Sequence, residues 1–122
     1  MKLILWMILC VVLPTSANAT FIQWELGEEI AVASLCRDQK SIKELARADQ
    51  VNEEAALKAF ASLASRGLCV VFDKHRSFTV VKKLFKYKDF YGRNSFVLEV
   101  VNKKIMGFRG YVMAQAPVRT SI

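Results

Sequence analysis

The chain has 122 residues, 53% of them hydrophobic, and its 18 basic and 11 acidic residues give a formal net charge of +7. This length is enough for one small domain and excludes two. The positive charge favours either an anionic partner or a basic, solvated surface. The sequence contains no recognisable catalytic or cofactor motif, so the interpretation depends on spacing, periodicity and the distribution of charge.

The first nineteen residues have the pattern of a secretory signal peptide. Lys2 supplies the positive charge, residues 3–13 are an unbroken apolar run, and residues 14–19 end in a small-x-small pattern. A run of 11 apolar residues is shorter than the roughly 20 that a membrane-spanning helix needs. The sequence therefore predicts cleavage before Thr20 and a periplasmic or secreted protein that meets a membrane only through its signal peptide. An uncleaved anchor is the alternative.

Cysteine usage predicts one covalent crosslink. Cys10 lies in the apolar run and would leave with the signal peptide, whereas Cys36 and Cys69 remain. An even number of cysteines in an exported chain indicates a disulfide, and two buried free thiols are the alternative. The single histidine, His75, adds only one ligand to two cysteines that lack paired C-x-x-C spacing. We therefore expect no metal site and no cofactor.

Charge is divided unevenly along the chain. Residues 20–65 carry five basic and eight acidic side chains, a net charge of −3, whereas residues 66–122 carry twelve basic and three acidic side chains, a net charge of +9. A positive half of this kind can attract an anionic macromolecule or an acidic protein.

Helical patterns dominate the first half of the mature chain. We predict a first helix over residues 24–36, with Leu26, Ile30 and Ala33 on its buried side. Ser41 and Glu44 have the spacing of a capping box and predict a short second helix that ends near residue 48. A third helix is expected to begin at an N-cap at residue 52 and to end at a left-handed glycine at residue 67.

Beyond residue 67 the sequence is rich in Val, Phe and Tyr, which predicts strands. We expect strands over residues 68–72, 77–90, 95–101 and 108–115, a turn at residues 73–76, and a bend in the long strand near residues 82–83. The predicted fold is α+β: three N-terminal helices pack on a C-terminal antiparallel sheet of three to four strands. A disulfide ties the end of the first helix to the start of the first strand. The domain spans residues 20–116, and residues 117–122 form a mobile tail.

Residues 41–57 resemble the helix-turn-helix core of winged-helix transcription regulators, and residues 63–68 resemble the passage from their third helix into the wing. The resemblance covers about half of the mature chain and implies a winged-helix order and DNA binding. Glu53 and Glu54 stand where the recognition helix would meet phosphates, and export would separate the chain from the chromosome. We therefore expect no binding to chromosomal DNA. A winged-helix DNA-binding protein with an uncleaved anchor remains the alternative.

The basic and aromatic segment over residues 82–88 is the candidate binding site. Strand alternation places Lys82, Lys86 and Lys88 on one face and Phe85 and Tyr87 on the other. The predicted ligand-binding residues are Lys82, Lys86, Lys88, Arg76, Arg93 and Arg109. The alternative is an edge strand in which lysines only prevent aggregation.

No catalytic residue is predicted. Asp73, His75 and Ser77 lie too close together in one predicted turn to align as orienter, base and nucleophile. The sequence thus predicts a non-enzymatic exported protein that binds an anionic macromolecule or an acidic protein through its basic strand face.

Overall fold

The protein was analysed as a computed structural model, which describes residues 23–105 and 108–117. The predicted signal peptide and residues 118–122 of the predicted tail lie outside the described residues. No helix within the described part is long and apolar enough to cross a membrane. The elements in chain order are β1 (Glu29–Cys36), α1 (Gln39–Asp49), α2 (Glu53–Ser65), β2 (Cys69–Lys88), β3 (Asn94–Val101) and β4 (Arg109–Gln115).

The four strands form one antiparallel sheet in the order β1, β2, β3, β4. The first half of β2 pairs with β1 and its second half pairs with β3, and Thr79 is the residue that pairs with both. β4 pairs along β3 and also meets β1, where Tyr111 lies opposite Cys36. This last contact closes the sheet into a small barrel.

The predicted α+β class is confirmed, but the prediction of three N-terminal helices is wrong. Residues 29–36, which belong to the predicted first helix, form β1, so the order is β-α-α-β-β-β. In the first half of β1 burial follows a period of two: Ile30 and Val32 are buried, whereas Glu29 and Ala31 are exposed. β-branched side chains at the buried positions favour a strand, and pairing with β2 determines which periodicity is realised.

Local capping residues define both helices. The N-cap of α1 is Asp38, whose carboxylate accepts a hydrogen bond of 2.8 Å from the backbone N–H of Ser41. The predicted N-cap at Ser41 is therefore wrong by one turn. The N-cap of α2 is Asn52, as predicted, and its side chain accepts a hydrogen bond of 2.7 Å from the N–H of Ala55. Gly67 adopts the expected left-handed conformation just after the C-cap of α2, with φ of 72°.

Two hydrophobic cores share the sheet. The first core fills the inside of the barrel and includes Phe78, Val80 and Leu98. The second core lies between the helices and the outer surface of the sheet and includes Ile42, Leu63 and Val97. β3 supplies residues to both cores, which is why every residue from 95 to 100 is buried.

The predicted disulfide between Cys36 and Cys69 is present. The two cysteines are directly paired residues at the end of β1 and the start of β2, with Cα atoms 3.9 Å apart. Cys36 was predicted to end a helix, but it ends β1. Instead, the disulfide closes the base of the segment that contains both helices, and both cysteines are buried in the second core.

β2 is longer and less regular than predicted. The expected turn at residues 73–76 is not a chain reversal: β2 continues through it. Between the pairs Ser34–Val71 and Val32–Arg76, β2 has four residues, 72–75, where β1 has only Ala33, and this segment of β2 bulges out. The expected bend near residues 82–83 corresponds to two further register irregularities, at Val81 and Leu84. Such bulges bend a strand and change which face a side chain occupies.

Joint replacement of the cysteines by Cys36→Ala and Cys69→Ala should lower the free energy of unfolding by about 2–5 kcal/mol. The loss arises because the unfolded chain is no longer closed over a sequence separation of 33. Urea unfolding followed by circular dichroism measures it. The reduced wild type is the matched control and should resemble the double variant. A double variant as stable as the oxidised wild type would contradict the prediction.

Gly110 allows β4 to approach β1 closely. A Cβ atom at this position would lie 2.5 Å from Cδ1 of Leu35 and 3.0 Å from the backbone oxygen of Cys36. Gly110→Ala should therefore lower the free energy of unfolding by about 1–3 kcal/mol, the usual cost of overpacking. The same substitution in a Leu35→Val background, which shortens the nearest side chain, should cost less. An equal cost in both backgrounds would show that Leu35 is not the obstacle.

Candidate functional site

Four lysines are exposed on the second half of β2: Lys82, Lys83, Lys86 and Lys88. This half of β2 pairs with β3 along one edge, and no described strand pairs with its other edge beyond Val80. The four lysine side chains are therefore accessible to solvent along this free edge of the sheet.

The register with β3 determines which lysines share a face. Lys83 lies opposite Leu98, Lys86 opposite Phe96 and Lys88 opposite Asn94. Directly opposite residues project from the same side of an antiparallel pair, and residues 94, 96 and 98 alternate along β3. Lys83, Lys86 and Lys88 thus share the face that carries Leu98 and Phe96 of the first core, but their own side chains are exposed. We call this group of three lysines the lysine surface.

Lys82 lies on the other face, which is a correction of the predicted alternation. It pairs opposite Glu99, on the side where Phe85 lies opposite Val97 and Tyr87 lies opposite Ser95. The extra residue at position 84 reverses the alternation between Lys83 and Phe85. Lys86 and Lys88 lie together as predicted, whereas sequence reasoning missed Lys83. The predicted bend near residues 82–83 was the available signal.

The positive charges of the lysine surface are not neutralised by ion pairs with described residues. None of its three members forms an ion pair with a described residue. Alternate residues of a strand are separated by about 7 Å, so Lys86 and Lys88 form a short row of positive charges. Such a row can contact successive negative groups along an extended anionic chain.

The three predicted arginines do not join this row. Each pairs with a carboxylate: Arg76 with Asp73 at 3.7 Å, Arg93 with Asp89 at 3.2 Å and Arg109 with Glu99 at 3.1 Å. They also lie in different elements: Arg76 is in the first half of β2, Arg93 precedes β3 and Arg109 begins β4. The structure therefore separates the predicted site into one lysine group and three arginine–carboxylate pairs.

Tyr87 fixes the lysine-bearing part of β2 against the helices. Its hydroxyl donates a hydrogen bond of 2.7 Å to the Asp49 carboxylate at the end of α1. Burial raises the pKa of Tyr87, and the hydrogen bond and the negative charge of Asp49 raise it further. The phenol therefore stays protonated and keeps donating. Because Tyr87 and Lys86 point to opposite faces, this anchor leaves the lysines accessible.

Asp89 organises the turn that follows the lysines. One carboxylate oxygen accepts hydrogen bonds from the backbone N–H groups of Tyr91 at 3.0 Å and Arg93 at 2.9 Å. The Arg93 guanidinium contacts the other oxygen and lies 4.6 Å from the centre of the Tyr91 ring. Burial alone would raise the pKa of Asp89, but these N–H groups and the Arg93 charge outweigh it and hold the pKa below its usual range. The contacts of Arg93 therefore stabilise the turn.

The described residues provide no group of three or more His, Cys, Asp and Glu side chains that could hold a metal ion. His75 and Asp73 are exposed in the bulge of β2.

Asp89→Asn should destabilise the fold in a pH-dependent way. Since the pKa is lower in the folded chain, the carboxylate stabilises the fold above its unfolded pKa of about 4, and this stabilisation is lost as the pH falls through the folded value. The difference in unfolding free energy between wild type and variant should be clear at neutral pH and shrink in acid, as measured by urea unfolding. Asp73→Asn is the control, because its side chain is 78% exposed. If the difference in unfolding free energy between wild type and Asp89→Asn stays the same in acid, the prediction is wrong.

No protein-family model matches this chain, and the comparisons with curated proteins and with solved structures give no match either.

Proposed function

We propose that this chain is an exported, non-enzymatic binding protein that engages an anionic macromolecule through the lysine surface of β2. The observation that carries the proposal is the common face of Lys83, Lys86 and Lys88, which are exposed and have no carboxylate partner among the described residues. Lysines that pair with nearby acids gain little from a ligand, whereas these three can exchange solvent counterions for ligand charges.

The organisation of the molecule supports this proposal. The negative charges are concentrated in residues 20–65, and the positive charges in residues 66–122, which include β2. An extended strand that is anchored through Tyr87 presents its lysines with a defined spacing. Binding to such a strand therefore costs less side-chain and backbone conformational entropy than binding to a mobile tail.

Two features support an extracytoplasmic location. The first is the signal-peptide pattern of residues 1–19. The second is the disulfide between Cys36 and Cys69, a crosslink that persists in oxidising compartments and is rare in the cytosol of mesophiles. The winged-helix alternative receives less support, because α2 begins with Glu53 and Glu54, both exposed. Carboxylates at this end would repel DNA phosphates.

The decisive experiment compares two triple variants of the oxidised protein on immobilised heparin and on polyglutamate. The first variant carries Lys83→Gln, Lys86→Gln and Lys88→Gln. It should bind about tenfold more weakly near physiological salt, and its slope of log affinity against log salt should fall by about two to three. Surface plasmon resonance measures both quantities, and circular dichroism verifies the fold.

The matched control carries Lys40→Gln, Lys43→Gln and Lys58→Gln, which remove the same charge from exposed helical positions. If the control loses as much affinity as the first variant, net charge and not the lysine surface governs binding. If neither variant changes affinity, the lysines serve only to protect an edge strand. Salt-sensitive binding of duplex DNA that survives the first triple substitution would favour the winged-helix alternative.

A further inference from the structure

A second basic feature lies on the first half of β2, away from the lysine surface. It is a groove of about 620 Å³ between β2 and the loop that follows β3. Lys74 and Arg76 line the β2 side, and Lys103 and Lys104 line the loop side. Glu29, Ser77 and Thr79 also contribute to the lining.

The groove exists because β2 changes partners at Thr79. Up to this residue β2 pairs with β1 on one edge, and β3 pairs with β2 only from Thr79 onwards. The other edge of the first half of β2 therefore has no described strand beside it. The loop over residues 102–105 lies there instead and forms the second wall.

Asn102 holds this loop in place. Its side-chain oxygen accepts hydrogen bonds from the backbone N–H groups of Lys104 at 2.8 Å and Ile105 at 3.1 Å. Its side-chain nitrogen donates to the backbone oxygen of Ser77 on β2, at 3.5 Å. These contacts order the backbone that carries Lys103 and Lys104 and tie it to the opposite wall.

The charges in and beside the groove favour a dianion. Arg76 lies 5.2 Å from the centre of the Phe72 ring and forms an ion pair with Asp73. Glu29 accepts a hydrogen bond of 2.9 Å from the Ser77 hydroxyl. The four cations Lys74, Arg76, Lys103 and Lys104, together with the two carboxylates Asp73 and Glu29, leave a net charge of +2. A phosphate monoester carries close to two negative charges at neutral pH.

We propose that this groove binds the phosphate group of a phosphomonoester. Lysine ammonium groups from both walls contact the phosphate oxygens. The ion pair of Arg76 with Asp73, at 3.7 Å, is exposed to solvent and therefore weak, so the Arg76 guanidinium can also offer parallel N–H donors. The site goes beyond the proposed function, since it uses none of the residues of the lysine surface.

The test is a titration of the ¹⁵N-labelled oxidised protein with inorganic phosphate at constant ionic strength, followed by amide chemical shifts. Saturable shifts are expected at residues 74–77 and 103–105. The variant Lys103→Gln with Lys104→Gln should bind phosphate at least about fivefold more weakly. Lys40→Gln with Lys43→Gln removes the same charge from α1 and should leave the affinity unchanged. The triple lysine-surface variant should also keep it, so this site and the proposed function can fail separately.

Asn102→Ala provides a second variant that preserves every charge. It should weaken phosphate binding, because Lys103 and Lys104 lose the backbone anchor, and it keeps the proposal testable if the lysine variant misfolds. Absence of saturable shifts at the groove, or equal weakening by the groove and α1 lysine variants, would overturn the proposal.

Two further titrations distinguish the sources of the phosphate group. Glycerol 3-phosphate tests a soluble ester, and phosphatidylcholine vesicles with and without phosphatidic acid test a lipid headgroup. Groove-dependent binding to either one supports the site and identifies its source.

Discussion

The junction at which Cys36 lies opposite Cys69 is the constraint on which the rest of this structure depends. Three strands meet there, because Cys36 is paired with Cys69 of β2 and also lies opposite Tyr111 of β4. The disulfide fixes the base of the helical segment, and the absence of a side chain at Gly110 lets β4 reach β1. The junction therefore closes the barrel and at the same time sets the helices on its outer surface. A domain of about one hundred residues buries a modest core and gains much from such a crosslink.

β2 converts this closed framework into two separate basic surfaces. β2 is 20 residues long, and no single described neighbouring strand pairs along all of it. β1 pairs with its first half and β3 with its second half. Each half consequently has an edge without a described partner strand. The lysine surface lies along one half, and the groove beside Lys103 and Lys104 lies along the other. The change of partner at Thr79 thus accounts for the position of both proposed sites.

The arginines and lysines of the basic half have different roles. Arg93 and Arg109 form ion pairs with Asp89 and Glu99, which are themselves buried. A buried carboxylate requires a partner, and the planar guanidinium provides charge and directed N–H groups together. These arginines therefore stabilise the turn before β3 and the pairing of β3 with β4. The lysines of β2 form no ion pair with described residues, so their charges remain available to a ligand.

The sequence alone determined the features that depend on neighbouring residues or on composition. Asn52 and Gly67 mark the ends of α2 because capping is a local hydrogen-bonding requirement. The two cysteines that follow the predicted signal peptide predicted the disulfide, and the aromatic and β-branched residues after Gly67 predicted strands close to the observed β3 and β4. The signal-peptide pattern is likewise a property of consecutive residues, and export stays a prediction.

Tertiary structure decided what depends on distant partners. Ile30 is buried in either a helix or a strand over residues 29–36, and only pairing with β2 selected the strand. The same pairing makes residues 72–75 a bulge where the sequence predicted a turn. The bulge at Leu84 exchanges Lys82 for Lys83 on the lysine face. Register is set by contacts between residues far apart in the chain, and a shift of one residue moves a side chain to the opposite face. Local sequence therefore identified a lysine-rich strand, but the fold determined which lysines share a face.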